Sequence, residues 1–91
     1  MDLEVLPGGE LVAKGLADHA AGRETAESLL LEVAATNLRE LGFEVTPSAG
    51  EPAEHRLYLL LARSDPRDAH SRYNALIRRL VSFERAARCA R

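Results

Sequence analysis

Residues 65–91 decide the fold, and they read Asp-Pro-Arg-Asp-Ala-His-Ser-Arg-Tyr-Asn-Ala-Leu-Ile-Arg-Arg-Leu-Val-Ser-Phe-Glu-Arg-Ala-Ala-Arg-Cys-Ala-Arg. Asp65 is a good N-cap and Pro66 suits the first helical position, so a helix is predicted to begin here. Apolar residues then recur at the spacing of a helix that packs along one face. At 1.5 Å per residue, a helix of about 25 residues is roughly 37 Å long, which leaves room for a partner. The predicted inner face comprises Ala69, Tyr73, Leu76, Ile77, Leu80, Phe83 and Ala87.

Two further helices are predicted in the first half of the chain. The first runs over about 10–21 and ends at Gly22, which suits a helix C-terminus. The second begins after Thr25 as N-cap and continues to Leu41, where Gly42 ends it. Gly15 in mid-helix costs about 1 kcal/mol relative to alanine unless another helix passes closely there. We therefore predict a close helix crossing at Gly15.

Residues 53–64 form the fourth predicted helix, and their leucines make it ambiguous. By run length alone, 55–63 could also be a buried strand, but leucine, Ala62 and the absence of β-branched residues favour a helix. The leucines lie on all sides of the helix axis, whereas a helix in a small bundle buries only one face. Some of them are therefore predicted to contact another chain, and the candidates for that interface are Leu57, Leu59 and Leu60.

The whole chain, 1–91, is thus predicted to be a single all-α domain, a small four-helix bundle-like fold that closes on the long C-terminal helix. Ninety-one residues allow one domain with a modest core. A composition rich in leucine, alanine, glutamate and arginine, without tryptophan, favours helices over sheets. Residues 1–9 are predicted to be an extended arm, and 46–52 a flexible loop because of their prolines and glycine.

The net charge of −2 hides an asymmetry between the two halves of the chain. Residues 1–54 hold eleven acidic side chains against three basic ones, whereas 55–91 hold nine arginines against three acidic side chains. We expect the halves to neutralise each other within the bundle or across a dimer. A nucleic-acid site is possible but not favoured, because such modules are more often basic overall.

The sequence also indicates the cellular compartment in which the protein is expected. Cys89 is the single cysteine, so no internal disulfide is possible and a reducing compartment is expected. The acidic start lacks the features of a signal peptide, and no apolar run reaches the roughly 20 residues that a membrane-spanning helix needs. We therefore predict a cytoplasmic protein without membrane association.

No metal, cofactor or nucleotide site is predicted from the motifs. The three histidines, His19, His55 and His70, lack the spacing of metal ligands, and the glycines at 8 and 9 are not followed by the Lys-Ser or Lys-Thr of a phosphate loop. Three polar residues are predicted on apolar faces: His19, Asn37 and His70. Each needs a hydrogen-bond partner, because burial without one costs roughly 1 to 3 kcal/mol.

The outer face of the last helix is the first candidate binding site. Arginines one to three turns apart can follow phosphates, or pair with the acidic surface of a neighbouring chain. Aromatic side chains that could stack on bases are missing from this face, so sequence-specific reading of RNA or DNA is not expected. The predicted binding residues are Arg67, Asn74, Arg78 and Arg85.

A second candidate rests on Arg63, six intervening residues, and His70 at the start of the last helix. This spacing is similar to the Arg-x4-6-His signature of the HEPN family, helical domains that include metal-independent ribonucleases acting as dimers. The resemblance covers these two residues. It implies that Arg63 steadies a phosphate and that His70 takes part in acid-base chemistry on a ribose hydroxyl, and we add Asn74 as a third candidate catalytic residue.

Taken together, the sequence favours a non-enzymatic helical interaction or assembly module that self-associates, with an unidentified protein partner also possible. The alternative is a nucleic-acid-directed activity, either HEPN-like cleavage or RNA binding. The absence of catalytic motifs and the surplus leucines of 53–64 support the first interpretation.

Overall fold

The structure, a computed structural model, describes residues 3–47 and 50–90 as an assembly of helices. A short 3-10 turn, Leu3–Val5, precedes the helices, and the described residues contain no strand. The predicted all-α class is therefore confirmed. The helices are α1 (Gly9–Ala20), α2 (Ala26–Val33), α3 (Ala35–Glu40), α4 (Ala53–Ser64) and α5 (Ala69–Ala90).

The core lies between α1, α2, α4 and α5. Leu29, Leu30 and Leu31 of α2 are all fully buried, because α2 packs between α1 on one side and α4 on the other. Leu57 and Leu61 of α4 join them, one turn apart on a single face. Helix α5 covers this layer with Ala69, Leu80, Phe83 and Ala87.

The predicted inner face of α5 is buried at Ala69, Leu80, Phe83 and Ala87, whereas Tyr73, Leu76 and Ile77 are half-buried at the edge of the core. Ala69 and Ala87 are both fully buried, so the helix is covered along nearly its whole length of 22 residues. It begins three residues later than predicted. The backbone N–H of Arg67 donates to Asp65 Oδ1 at 3.1 Å, and that of Asp68 donates to the Asp65 carbonyl at 3.2 Å. Asp65 therefore caps the tight turn before α5 rather than α5 itself.

The second predicted helix is divided in two, so the described residues form five α-helices rather than the four predicted. The break is at Ala34, whose φ of −102° and ψ of 20° depart from helical values. Beyond the break, Ala35 and Leu38 are buried in the core. Asn37 is exposed, so its predicted place on an inner face is wrong, because the buried stripe runs through Ala34, Ala35 and Leu38 and leaves Asn37 beside it.

Two more structural predictions can be compared with the structure. Residues 3–5 form a 3-10 turn rather than extended chain, while 1 and 2 lie outside the described residues. The predicted loop at 46–52 is irregular where it is described, with 48 and 49 outside that part. The close crossing predicted at Gly15 is confirmed: a Cβ there would lie 2.8 Å from both the Glu27 carbonyl oxygen and Leu31 Cδ1.

Candidate functional site

The two oppositely charged halves of the chain meet within the bundle. Arg56 on α4 pairs with Glu24 at 2.8 Å and with Glu32 on α2 at 3.6 Å. Arg79 on α5 pairs with Glu10 on α1. These contacts join the basic second half to the acidic first half, as the charge asymmetry predicted, and they neutralise part of it inside one chain.

The predicted arginine face is not part of this pairing. Arg67, Arg78 and Arg85 are all exposed, and within residues 3–47 and 50–90 none of their guanidinium groups forms an ion pair. Asn74 is half-buried on α5. The face is thus available to an anion outside the described chain.

The HEPN-like residues are only partly brought together. Asn74 Nδ2 donates to His70 Nε2 at 3.2 Å, one helical turn away, which requires the imidazole tautomer protonated at Nδ1. Arg63, exposed in the last turn of α4, makes no hydrogen bond to either residue. The structure therefore shows a His70–Asn74 pair rather than a closed three-residue site.

Helix α4 turns out to present a different apolar surface from the one predicted. Leu57 is wrong as an interface residue, because it is 0% exposed and lies in the core of its own chain. Leu60 is partly buried against that core. Leu59 remains at the surface, 44% exposed, and so does Tyr58 at 39%.

Tyr58 begins a row of apolar side chains that crosses from α4 to α5, and we call this row the α4–α5 face: Tyr58, Tyr73, Ile77 and Val81. The rings of Tyr58 and Tyr73 pack at a centroid distance of 6.2 Å, tilted by 55°. Ile77 and Val81 continue along α5 at one-turn intervals, and Val81 is 37% exposed. Burial raises the pKa of Tyr73, with a further contribution from the negative charge of Glu54. Glu54 therefore lies near this face.

A polar pocket of about 140 Å³ lies between α1, α2 and α4. His19 in its wall accepts a hydrogen bond from the backbone N–H of Thr46 at 3.2 Å, so this predicted polar residue has the partner that it needs. Arg56 Nη1 is buried there and has no hydrogen-bond partner among residues 3–47 and 50–90. The pocket has room for several water molecules, which would satisfy that N–H group. Its lining residues are His19, Gly22, Arg23, Glu24, Glu32 and Arg56.

The sequence reasoning missed a buried carboxylate at the corner between α1 and α2. Asp18 Oδ2 accepts hydrogen bonds from Lys14 Nζ at 2.6 Å and from Thr25 Oγ1 at 2.7 Å, while Oδ1 accepts from Arg23 Nε at 3.0 Å. Thr25 also forms a capping box with Ser28 at the start of α2. The sequence pattern that could have indicated this site is the N-cap residue Thr25 seven residues after Asp18, with Arg23 between them. Asp18 thereby links the end of α1 to the N-cap residue of α2.

We expect Asp18 to make the stability of the fold depend on pH. Hydrogen bonds from Lys14 and Thr25 lower the pKa of Asp18 from 3.8 to about 2, against the opposing effect of burial. Because the pKa is lower in the folded state, the Asp18 carboxylate stabilises the fold above pH 3.8, and this stabilisation is lost as the pH falls towards 2. We expect Asp18→Asn to lower the Tm at pH 7 and to flatten the fall of Tm between pH 4 and pH 2, as measured by circular dichroism.

The control for that experiment is Glu44→Gln, which neutralises an exposed carboxylate outside the corner. It should follow the wild-type curve at every pH. An Asp18→Asn variant with the same pH dependence as the wild-type protein would contradict the role of the carboxylate.

Comparison with known proteins gives no identity: no family model, no curated protein and no solved structure matches this chain. Within residues 3–47 and 50–90, no group of three or more metal-ligating side chains converges. No helix in the same part of the chain is long and apolar enough to cross a membrane.

Proposed function

We propose that this protein is a non-enzymatic helical interaction module that associates with a second copy of itself through the α4–α5 face. The observation that supports the proposal is the apolar row that crosses two packed helices, with Tyr73 and Ile77 half-buried and Tyr58 and Val81 at the surface. Tyr58 and Val81 are two of the four large hydrophobic side chains that are exposed in the described residues.

Removal of this apolar surface from water supplies the driving force for self-association. Burial of apolar area contributes about 25 cal/mol per Å², and tyrosines are favoured at interfaces because they combine a large ring with a polar end. The face is also preorganised, since Tyr58 and Tyr73 already hold each other in place. Little side-chain entropy is then lost on association.

The nucleic-acid alternative stands second. Exposed arginines without ion pairs support it, as does the His70–Asn74 hydrogen bond at 3.2 Å. A phosphate backbone bound along Arg78 and Arg85 would, however, leave the neighbouring apolar side chains of Ile77 and Val81 in water. A second copy accounts for both features of α5.

Val81→Glu tests the proposal. A carboxylate in place of a valine within the apolar contact loses hydration without gaining a partner, so we expect self-association to weaken by more than about tenfold. Sedimentation equilibrium over about 10 to 500 µM would measure the dissociation constants of the wild-type and variant chains.

Val5→Glu is the matched control, since Val5 is 77% exposed but lies in the N-terminal 3-10 turn. It makes the same substitution off the face and should leave the dissociation constant unchanged. A wild-type chain that remains a monomer throughout this range would overturn the proposal. Retention on single-stranded RNA at low salt by such a monomer would support the alternative instead.

A further inference from the structure

The register between α4 and α5 places charged side chains at matching levels. The two helices are antiparallel neighbours joined by a four-residue turn, and the contact between the Tyr58 and Tyr73 rings puts these residues side by side. Each step back along α4 then corresponds to one step forward along α5, because both helices rise 1.5 Å per residue. Glu54, four residues before Tyr58, is therefore level with Ile77, four residues after Tyr73, and with its neighbour Arg78.

The charges at that level have opposite signs on the two helices. Glu54 is exposed on α4 and close enough to Tyr73 to influence its pKa, while Arg78 is exposed on the outer side of α5. Neither side chain forms an ion pair within residues 3–47 and 50–90. The α4–α5 face thus has an unpaired acid on one helix and an unpaired base at the same height on the other.

A second copy can dock on this face with its two-fold axis in one of two directions. An axis across the helices lays α5 on α5, which brings the arginines of both copies together and opposes binding. An axis parallel to the helices lays α4 of one copy on α5 of the other. Each residue then stays at the same height along the helix axis in both copies. The second arrangement sets Glu54 of one copy opposite Arg78 of the other, and unlike charges at an interface favour association whereas like charges disfavour it.

We infer that the two copies are related by a two-fold axis parallel to α4 and α5, so that Glu54 of each copy pairs with Arg78 of the other. The inference rests on the proposed self-association and adds the arrangement and the residues that select the partner. Glu54 and Arg78 are specificity-determining residues: the apolar row provides the contact area, and the two symmetric ion pairs favour another copy of this chain over other apolar helices.

Charge reversal tests the arrangement, by sedimentation equilibrium at low salt. Glu54→Arg alone creates two Arg–Arg contacts per dimer and Arg78→Glu alone creates two Glu–Glu contacts, so each should weaken self-association by about tenfold. The double variant in one chain restores two unlike pairs and should return the dissociation constant to within about twofold of the wild-type value. Raised salt should reduce all these differences.

Arg39→Glu and Glu44→Arg are the controls, because they make the same changes in net charge at exposed positions off the face. Neither should alter the dissociation constant. If the wild-type chain dimerises but the double variant loses as much affinity as the two single variants combined, this arrangement is wrong and the proposed function still stands. A monomeric wild-type chain would instead refute the proposed function, and the inference with it.

Discussion

Gly15→Val is expected to lower stability by about 3 kcal/mol or more, because the substitution adds volume at the closest approach of α1 and α2. A Cβ at this position would lie 2.8 Å from the Glu27 carbonyl oxygen, a backbone atom that cannot move without α2. It would lie equally close to Leu31, whose side chain is fully buried. The two helices must then separate, and the leucines of α2 lose part of their packing.

This loss is large for a chain of this size, since small domains have only about 5 to 15 kcal/mol of unfolding free energy in total. The Tm should fall by more than about 10 °C, which thermal circular dichroism would measure. Ala17→Val is the matched control, because Ala17 is exposed on the same helix. Its effect should stay below about 1 kcal/mol. Equal Tm values for the two variants would show that α1 and α2 do not cross at Gly15.

The crossing at Gly15 and the inner face of α5 could both be predicted, because each follows from a local rule. Glycine in mid-helix is unfavourable unless a neighbour needs the space, so its presence indicated one. The spacing of Ala69, Leu80, Phe83 and Ala87 follows the period of the helix, so these residues had to share a face. Both rules can be applied to a single segment of the chain, because they do not require the positions of the other helices.

The break at Ala34 could not be read from its own segment. No glycine or proline lies between Thr25 and Leu41, and alanine is the best helix former. Ala34 nevertheless departs from helical geometry, while the buried Leu30, Ala34 and Leu38 keep the four-residue spacing of one helical face across the break. Helix propensity therefore does not account for the break, and Asn37 is exposed beside the buried stripe.

The candidate site was predicted in part for a similar reason. Leucines surround the axis of α4, so the sequence indicated surplus apolar surface but not its direction. Leu57 and Leu61 face inward and leave Tyr58 and Leu59 at the surface, a choice made by the packing of α4 on α2. Asp18 was missed because its partners come from both sides of a turn. A single acid in an amphipathic helix does not indicate burial.

Phe83→Ala is expected to cost about 3 to 5 kcal/mol, the usual range for truncation of a fully buried phenylalanine. Phe83 is 0% exposed at the point where α5 meets the N-terminal segment and the chain after α3. Its ring packs on Phe43 at a centroid distance of 5.8 Å, and its Cβ is 3.5 Å from where a Cβ on Gly8 would lie. Truncation would leave a cavity shared by three parts of the chain, which cannot all collapse into it.

Urea unfolding followed by circular dichroism would measure this cost, with Ser82→Ala as the control because Ser82 is exposed on the neighbouring position of α5. The control should change the unfolding free energy by less than about 0.5 kcal/mol. The Phe83→Ala midpoint should fall while the slope stays the same, since the area exposed on unfolding hardly changes. A loss below about 1 kcal/mol would mean that the packing of Phe83 on Phe43 and on the N-terminal segment does not hold α5 in place.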